Sequence, residues 1–210
     1  MRAASPNDLA RALRAFFTAY LARVRGASPH TVQSYRDSVV LLLRFASAQE
    51  KCAVSQLDLV HLTPQRVLDF LQHLETDRQC SPATRNVRLA AIHAFFRYCA
   101  MEFPAHLAHC QRVLAVPFKR TRSRAVEYLE YDEIQAVLAA VDRSTADGRR
   151  DYALLATMFN TGARVQEIVT LCVADVRLDP PRQVRLFGKG RKERICPLWT
   201  QTTDLLRALL

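Results

Sequence analysis

The 210-residue sequence lacks any apolar run of the roughly 18–20 residues that a membrane-spanning helix needs, because arginine interrupts every candidate. Its first residues carry Arg2, Asp8 and Arg11 where a secretory signal would be apolar. The six cysteines include no C-x-x-C pair and no cysteine/histidine spacing typical of zinc, so free thiols in a reducing compartment are expected. These absences predict a soluble cytoplasmic protein with no membrane partner.

Acidic residues are scarce relative to basic ones, with 20 Asp and Glu against 30 Lys and Arg and a net charge of +10. The net charge is +5 over residues 1–110, +4 over 111–127 and +1 over 128–210. Lysine is scarce as well, since only four of the basic residues are lysines. Arginine grips phosphate with a rigid fork of donors, which favours a polyanionic partner such as nucleic acid. A GC-rich genome, which favours arginine codons, accounts for the bias equally well.

Four Ser/Thr-Pro pairs mark helix starts in the first half. A hydroxyl can accept one of the first unpaired backbone N–H groups, and proline at the first helical position sacrifices no hydrogen bond. Each pair precedes apolar residues in helical spacing. The sequence therefore predicts a compact domain of four helices over residues 1–103. These pairs and helices are Ser5-Pro6 with 6–24, Ser28-Pro29 with 29–49, Thr63-Pro64 with 64–77, and Ser81-Pro82 with 82–101.

Residues 104–127 are predicted to form a basic linker. Its stretch 117–124 contains four basic residues, no acid and no apolar periodicity. One interpretation is a solvated connector whose charge only aids solubility. The other is a basic strap across DNA, because dense positive charge binds the phosphate backbone.

After the linker the pattern changes to helices mixed with a hairpin, which predicts a small α+β unit over residues 128–210. Alternating apolar residues on either side of the turn Gly188-Lys189-Gly190 predict the two-stranded hairpin. Helices are predicted at 128–141, 151–160, 164–172 and 199–210.

The segment 160–168 contains the most informative charged residues. Thr161 and Gly162 break one helix and Arg164 opens the next, where the first turn of a helix favours an anion. Glu167 lies on the same helical face and can hold the guanidinium. An ordinary ion pair within the helix is the alternative interpretation. In the hairpin, a lysine between two glycines can approach a phosphate closely.

The motif T-G-A-R-V-Q-E-I-V-T-L, followed by A-D-V and G-K-G-R-K-E-R-I-C-P-L, closely resembles the tyrosine recombinase (phage integrase) family. The motif S-P-x-T-x-x-x-Y from Ser28 and the helix from Ser81 resemble the SAM-like core-binding domain of that family. The resemblance implies a mainly α fold, with a core-binding domain followed by the N-terminal part of an integrase-type catalytic domain. Members clamp double-stranded DNA between these domains and exchange strands through a 3′-phosphotyrosyl link, without metal or cofactor.

The resemblance also implies roles for individual residues. Arg164 would grip the scissile phosphate, Glu167 would support it, and Lys189 would protonate the departing 5′-oxygen. We expect the DNA contacts to be mostly to phosphates. The candidate DNA-binding residues are Arg36, Arg85, Arg88, Lys119, Arg120, Arg122, Arg124 and Arg191. The spacing of His106, His109 and Cys110 fits a metal, but without a fourth ligand nearby the sequence favours a helix-end cluster with no metal.

The sequence departs from the family pattern beyond the hairpin. All six histidines precede residue 110 and the last tyrosine is Tyr152, so the His-x-x-Arg box and the nucleophilic tyrosine of the family have no counterpart. We therefore expect a C-terminally truncated recombinase that binds DNA but does not cleave it alone. A regulatory protein that occupies recombination sites is the alternative, and a helical protein-interaction module with incidental basicity is a third interpretation. The family also implies other recombinase protomers on paired sites as partners.

Overall fold

The computed structural model describes residues 7–121, 127–188, 190 and 192–209. The chain divides into two compact units, residues 1–124 and 125–210. The first unit is helical, and the second combines helices with a three-stranded antiparallel sheet. The expected class, mainly α with a small sheet in the second half, is confirmed.

The first unit is built from five helices in its described residues. Helix α1 (Asp8–Ala15) continues without a break into nine residues of π-helix, Phe16–Val24, at whose end the N–H of Arg25 donates to the carbonyl of Tyr20 at 2.8 Å. The helices are α1 (Asp8–Ala15), α2 (Pro29–Glu50), α3 (Pro64–Thr76), α4 (Pro82–Glu102) and α5 (Leu107–Leu114).

Three of the predicted helix starts are confirmed by their caps. The side chains of Ser28, Thr63 and Ser81 each accept the backbone N–H three residues later, and a proline follows each of them. The first helix differs from the prediction, because Asn7 caps it and Ser5-Pro6 lies outside the described residues. Short-range hydroxyl caps thus fix where α2, α3 and α4 begin.

The core of the first unit is aromatic at its centre. The ring of Phe16 contacts those of Phe95 and Tyr98, at centroid distances of 5.4 and 5.5 Å, and Phe95 contacts Phe96 at 5.6 Å. Phe70 of α3 is as deeply buried as Phe95 and Phe96. About two dozen buried apolar residues from all five helices join this cluster, so the unit has a core of its own.

The segment 104–127, predicted as a linker, is helical in its first half. Pro104–His106 forms a 3₁₀ turn, and α5 follows it directly. Cys110 and Val113 of α5 are completely buried in the core of the first unit. The predicted linker is therefore a docked helix over 104–114, because two apolar positions one helical turn apart suffice to dock a short helix.

The second unit packs helices against a small sheet. The strands follow the order β1-β2-β3, and β1 is an addition to the predicted hairpin. Leu186 lies opposite Arg194 in the β2–β3 ladder. The elements are α6 (Tyr131–Ala139), α7 (Ala146–Thr161), α8 (Val165–Val169), β1 (Val176–Arg177), β2 (Gln183–Phe187), β3 (Glu193–Pro197) and α9 (Thr200–Arg207).

The buried core of the second unit is small. Among the described residues only five form its buried apolar cluster, with Val184 and Leu186 of β2 at its centre. Because burial of apolar surface provides the main free energy of folding, the second unit has less to stabilise it than the first.

We predict two separate unfolding transitions, with the second unit unfolding first. Phe96→Ala will destabilise the first unit by about 3–5 kcal/mol and shift only the later transition, whereas Leu186→Ala will shift only the earlier one. Calorimetry of the full chain and of both variants measures this. A single transition that both substitutions shift equally would contradict it.

Acid will destabilise the first unit through its buried histidines. Burial lowers the pKa of His93 on α4 below its ordinary value of 6.5, and the nearby Arg97 lowers it further. The pKa of His109 on α5 is lowered in the same way by burial and Arg112. Below 6.5 the unfolded chain takes up protons that the folded unit does not, so the stability falls with falling pH.

Urea unfolding of the first unit between about pH 7.5 and about pH 5.5 checks this expectation. His93→Gln is expected to flatten the pH dependence, while His30→Gln, at an exposed position on α2, serves as the control. Equal slopes for all three proteins would show that burial of these imidazoles does not govern the acid response.

Candidate functional site

The loop between α7 and α8 carries the first candidate arginine. Gly162 ends α7 in the left-handed conformation, with φ of +62°, which suits glycine. Arg164 then precedes α8 as its N-cap residue in extended conformation, whereas the sequence predicts it inside the first turn. Because α8 has only five residues, its dipole contributes little. The side chains around Arg164 therefore determine what it can bind.

Glu167 holds Arg164 from its buried side. One carboxylate oxygen, Oε2, accepts the backbone N–H of Arg164 at 3.1 Å, and Oε1 accepts from Nη1 of the same residue, also at 3.1 Å. The Glu167 side chain is 5% exposed, while that of Arg164 is 74% exposed. The guanidinium is thus fixed along one edge and open to solvent along the rest.

A second arginine completes the cluster. Arg194 of β3 donates from Nη2 to Oε2 of Glu167 at 2.7 Å, across 27 residues of sequence. Sequence reasoning missed this residue because it stands in a basic run. Strand alternation could have found it, since Arg194 is in phase with Cys196 on the side of β3 that faces inward.

The two arginines keep the central carboxyl group ionised. The hydrogen bond from Arg194 lowers the pKa of Glu167 most, and the backbone N–H of Arg164 adds to it, so that the pKa falls to about 2 although burial opposes the shift. A carboxyl group with this pKa has no proton to give at neutral pH. The cluster therefore carries a net charge of +1, which suits an anionic ligand.

Gly188, which follows β2 directly, lies against this cluster. The N–H of Gly188 donates to the carbonyl of Lys192 at 2.7 Å. A Cβ added at Gly188 would lie 3.1 Å from Oε1 of Glu167, so the carboxylate would have to shift by a few tenths of an ångström to admit a larger residue. Glycine at this position therefore lets the backbone approach the carboxylate closely. The predicted residues Lys189 and Arg191 lie outside the described residues.

The predicted DNA-binding arginines of α2 and α4 occupy different environments. Arg36 is exposed on α2. Arg88 of α4 is half-buried and donates from Nη1 to the buried hydroxyl of Ser38 on α2 at 3.3 Å. Arg36 is therefore accessible to a ligand, whereas Arg88 combines a structural contact with partial exposure.

Arg85 does not lie on the surface as its predicted role requires. It is 7% exposed, and its Nη1 donates to the carbonyl of Pro117 at 2.9 Å. The Nε atom is also buried and has no partner among the described residues. This geometry corrects the surface assignment, because the guanidinium anchors the segment after α5 to α4.

The start of the basic segment is fixed to the first unit. Asn86 of α4 accepts the N–H of Lys119 at 3.0 Å and donates to its carbonyl at 2.7 Å, as a neighbouring strand would. The Lys119 ammonium pairs with Glu75 of α3 at 2.8 Å. Arg120 is exposed, while Arg122 and Arg124 lie outside the described residues.

Neither a metal cluster nor a membrane helix is found in the part of the chain that the structure describes. No group of three or more His, Cys, Asp or Glu residues there could hold a metal ion. His106, considered as a ligand from its spacing, instead pairs with Asp8 at 3.2 Å. No helix in the same described ranges is long and apolar enough to cross a membrane.

Two sequence families match the chain in succession. The profile described as "Phage integrase, N-terminal SAM-like domain" matches residues 15–102, and the one described as "Phage integrase family" matches residues 127–210. The SAM-like helical domain and the integrase-type second unit expected from the resemblance are thereby confirmed.

Named relatives align along almost the whole chain. The integrase/recombinase proteins y4rC and y4rD of Sinorhizobium fredii are 44% and 39% identical, over 95% and 96% of this chain and 60% and 71% of their own lengths. Tyrosine recombinase XerC of Myxococcus xanthus is 31% identical over 92% of this chain and 61% of its own length. The chain thus spans about 60% of the length of y4rC and XerC.

An experimental structure shares the fold. The site-specific recombinase XerH, bound to a palindromic difH substrate in a post-cleavage complex, superposes with a TM-score of 0.64 at 18% identity. The match covers 98% of this chain and 63% of the XerH chain.

We predict that Asn86→Ala releases the basic segment from α4. Loss of both backbone hydrogen bonds will make the bond after Lys119 several-fold more susceptible to trypsin, because a protease needs a locally freed chain. Mass spectrometry of timed digests measures this. Gln33→Ala removes an amide that bonds within α2 and is the matched control. Unchanged cleavage at Lys119 would argue against the anchor.

Proposed function

Because the chain belongs to the phage integrase family of tyrosine recombinases, we propose that it binds double-stranded DNA at sites of integration or recombination. The single observation that carries this proposal is the arginine of the family motif, Arg164. A buried carboxylate fixes it, yet its guanidinium is 74% exposed. A held, exposed guanidinium is suited to grip a phosphate.

The distribution of charge supports two contributions to binding. The helical unit and the segment after it carry +9 of the net charge of +10, which provides attraction to the DNA backbone irrespective of sequence. The second unit is nearly neutral and contributes a localised charge cluster instead. XerH, whose fold is similar, is bound to a DNA substrate in its crystal structure.

Within the proposed site each charged residue has one task. Arg164 stabilises the charge that develops on the non-bridging phosphate oxygens during strand transfer, since its position is set before the ligand arrives. Glu167 stays ionised and orients Arg164. Lys189 is the proton donor to the departing 5′-oxygen. Other recombinase protomers on paired sites are the proposed protein partners.

We further propose that these 210 residues bind DNA without cleaving it by themselves. After the hairpin the sequence contains neither a His-x-x-Arg pattern nor a tyrosine, since its last histidine is His109 and its last tyrosine is Tyr152. Covalent catalysis needs a nucleophile, and the Arg164 cluster does not contain one. The same observation favours a second candidate function, in which the chain occupies recombination sites and lowers the activity of a complete recombinase.

Salt dependence of DNA binding tests the first proposal. Fluorescence anisotropy with random-sequence duplex DNA is expected to give a linear fall of log K with log salt concentration. Arg36→Ala will reduce that slope by about one if this exposed arginine contacts a phosphate. Arg11→Ala is the matched control, because Arg11 is already paired with Asp8 on α1. Binding that is insensitive to salt would refute the proposal.

A suicide DNA substrate tests the absence of cleavage. We expect no covalent protein–DNA product on denaturing gels from the purified chain, because no nucleophilic tyrosine follows the hairpin. Adding the chain to a complete recombinase that acts on the same DNA site shows whether the chain only binds DNA or also lowers the activity of that recombinase. Lower recombination supports site occupation, and covalent product from the chain alone would overturn the proposal.

A further inference from the structure

The carboxylate of Glu167 is the meeting point of three elements that are distant in sequence. Its Oε1 atom accepts from Arg164, which precedes α8, and its Oε2 atom accepts from Arg194 of β3. The turn residue Gly188 lies against Oε1 on a third side. Arg164 and Arg194 have like charges and repel each other, and the negative carboxylate between them offsets that repulsion.

Other contacts already hold the sheet together without the side chain of Arg194. The β2–β3 ladder runs through five residue pairs, from Gln183 opposite Pro197 to Phe187 opposite Glu193. The apolar cluster joins Ile168 of α8 to Val184 of β2. The polar contact of Arg194 is therefore not required to form the sheet, and what it adds is a fixed position for the carboxylate that holds Arg164.

We infer that Arg194 is a positioning residue, which through Glu167 fixes the orientation of the phosphate-gripping Arg164. The inference rests on the proposed function, since it assigns Arg194 a part in the same site. Arg194 acts through Glu167 and not as a phosphate ligand, because its Nη2 atom is engaged with the carboxylate at 2.7 Å.

The shape of the arginine side chain suits this task. Its Nη2 atom bonds Glu167, while Nη1 lies 3.6 Å from the position that a Cβ on Gly188 would take. One planar guanidinium can thus bond the carboxylate while it lies close to Gly188, whereas a lysine offers a single point charge. Arg194→Lys should therefore hold the Glu167 carboxylate in part, and Arg194→Gln should not hold it.

The first experiment needs no DNA. Carboxyl ¹³C NMR of the full chain follows the titration of Glu167, whose pKa is about 2. The hydrogen bond from Arg194 contributes most to the lowering of this pKa. Arg194→Gln will therefore raise the titration midpoint of Glu167 towards the ordinary value of 4.5, and Arg194→Lys will give an intermediate midpoint. Arg185→Gln is the matched control, because Arg185 pairs with Asp175 from the exposed face of the same sheet. An unchanged midpoint in Arg194→Gln overturns the inference.

The second experiment is a double-mutant cycle on DNA binding. Arg164→Ala is expected to reduce the salt slope by about one phosphate contact. If Arg194 acts through Glu167, Arg194→Gln will weaken binding as well, and the double variant will bind no more weakly than Arg164→Ala. Additive losses would show that Arg194 contacts DNA independently and would overturn the positioning role.

The two experiments separate the inference from the proposed function. If Arg164→Ala leaves DNA binding unchanged, the proposed phosphate site fails, whereas the Glu167 titration still decides whether Arg194 controls the carboxylate. Gly188→Ala is the second variant should Arg194→Gln fail to fold. Its added Cβ would lie 3.1 Å from Oε1 of Glu167, the atom that accepts from Arg164, and 3.6 Å from Nη1 of Arg194. The carboxylate must then shift, and binding is expected to weaken as in Arg164→Ala. Wild-type binding by Gly188→Ala would contradict the dependence of Arg164 on the position of this carboxylate.

Discussion

The buried carboxylate of Glu167, held between two guanidiniums, is the interaction on which the arrangement of the charged groups of the second unit depends. It caps α8, sets the orientation of Arg164, receives Arg194 from the sheet and supports the turn at Gly188. The apolar core beneath it is small. The hydrogen bonds of Glu167 therefore fix the arrangement of the charged groups, which burial of the apolar side chains alone does not define.

The first unit depends on a different balance. Its aromatic core is extensive, and its polar contacts serve to attach segments to it, as Arg85 does for Pro117 and Asn86 for Lys119. Most of its arginines remain on the surface of a scaffold that does not need them for folding. These surface charges can then bind a polyanion without lowering the stability of the folded first unit.

Sequence reasoning succeeded where the determining contacts are local. The hydroxyls of Ser28, Thr63 and Ser81 act three residues away, so the starts of three helices could be read from the sequence. It failed for Arg85 and Arg194, whose environments depend on residues 32 and 27 positions away. Composition gave no sign of these partners. The sequence predicted the contact of Glu167 with Arg164 but not its contact with Arg194, because the second contact can be predicted only when the register of the sheet is known.

The capped helices of the first unit have a consequence for how it meets a ligand. Because serine hydroxyls close the starts of α2 and α4 from within the chain, these helices are complete before anything binds. Association then involves two preformed surfaces, and no helix has to form during it. The change in heat capacity on binding would accordingly reflect the surface removed from water, without the larger contribution that coupled folding adds.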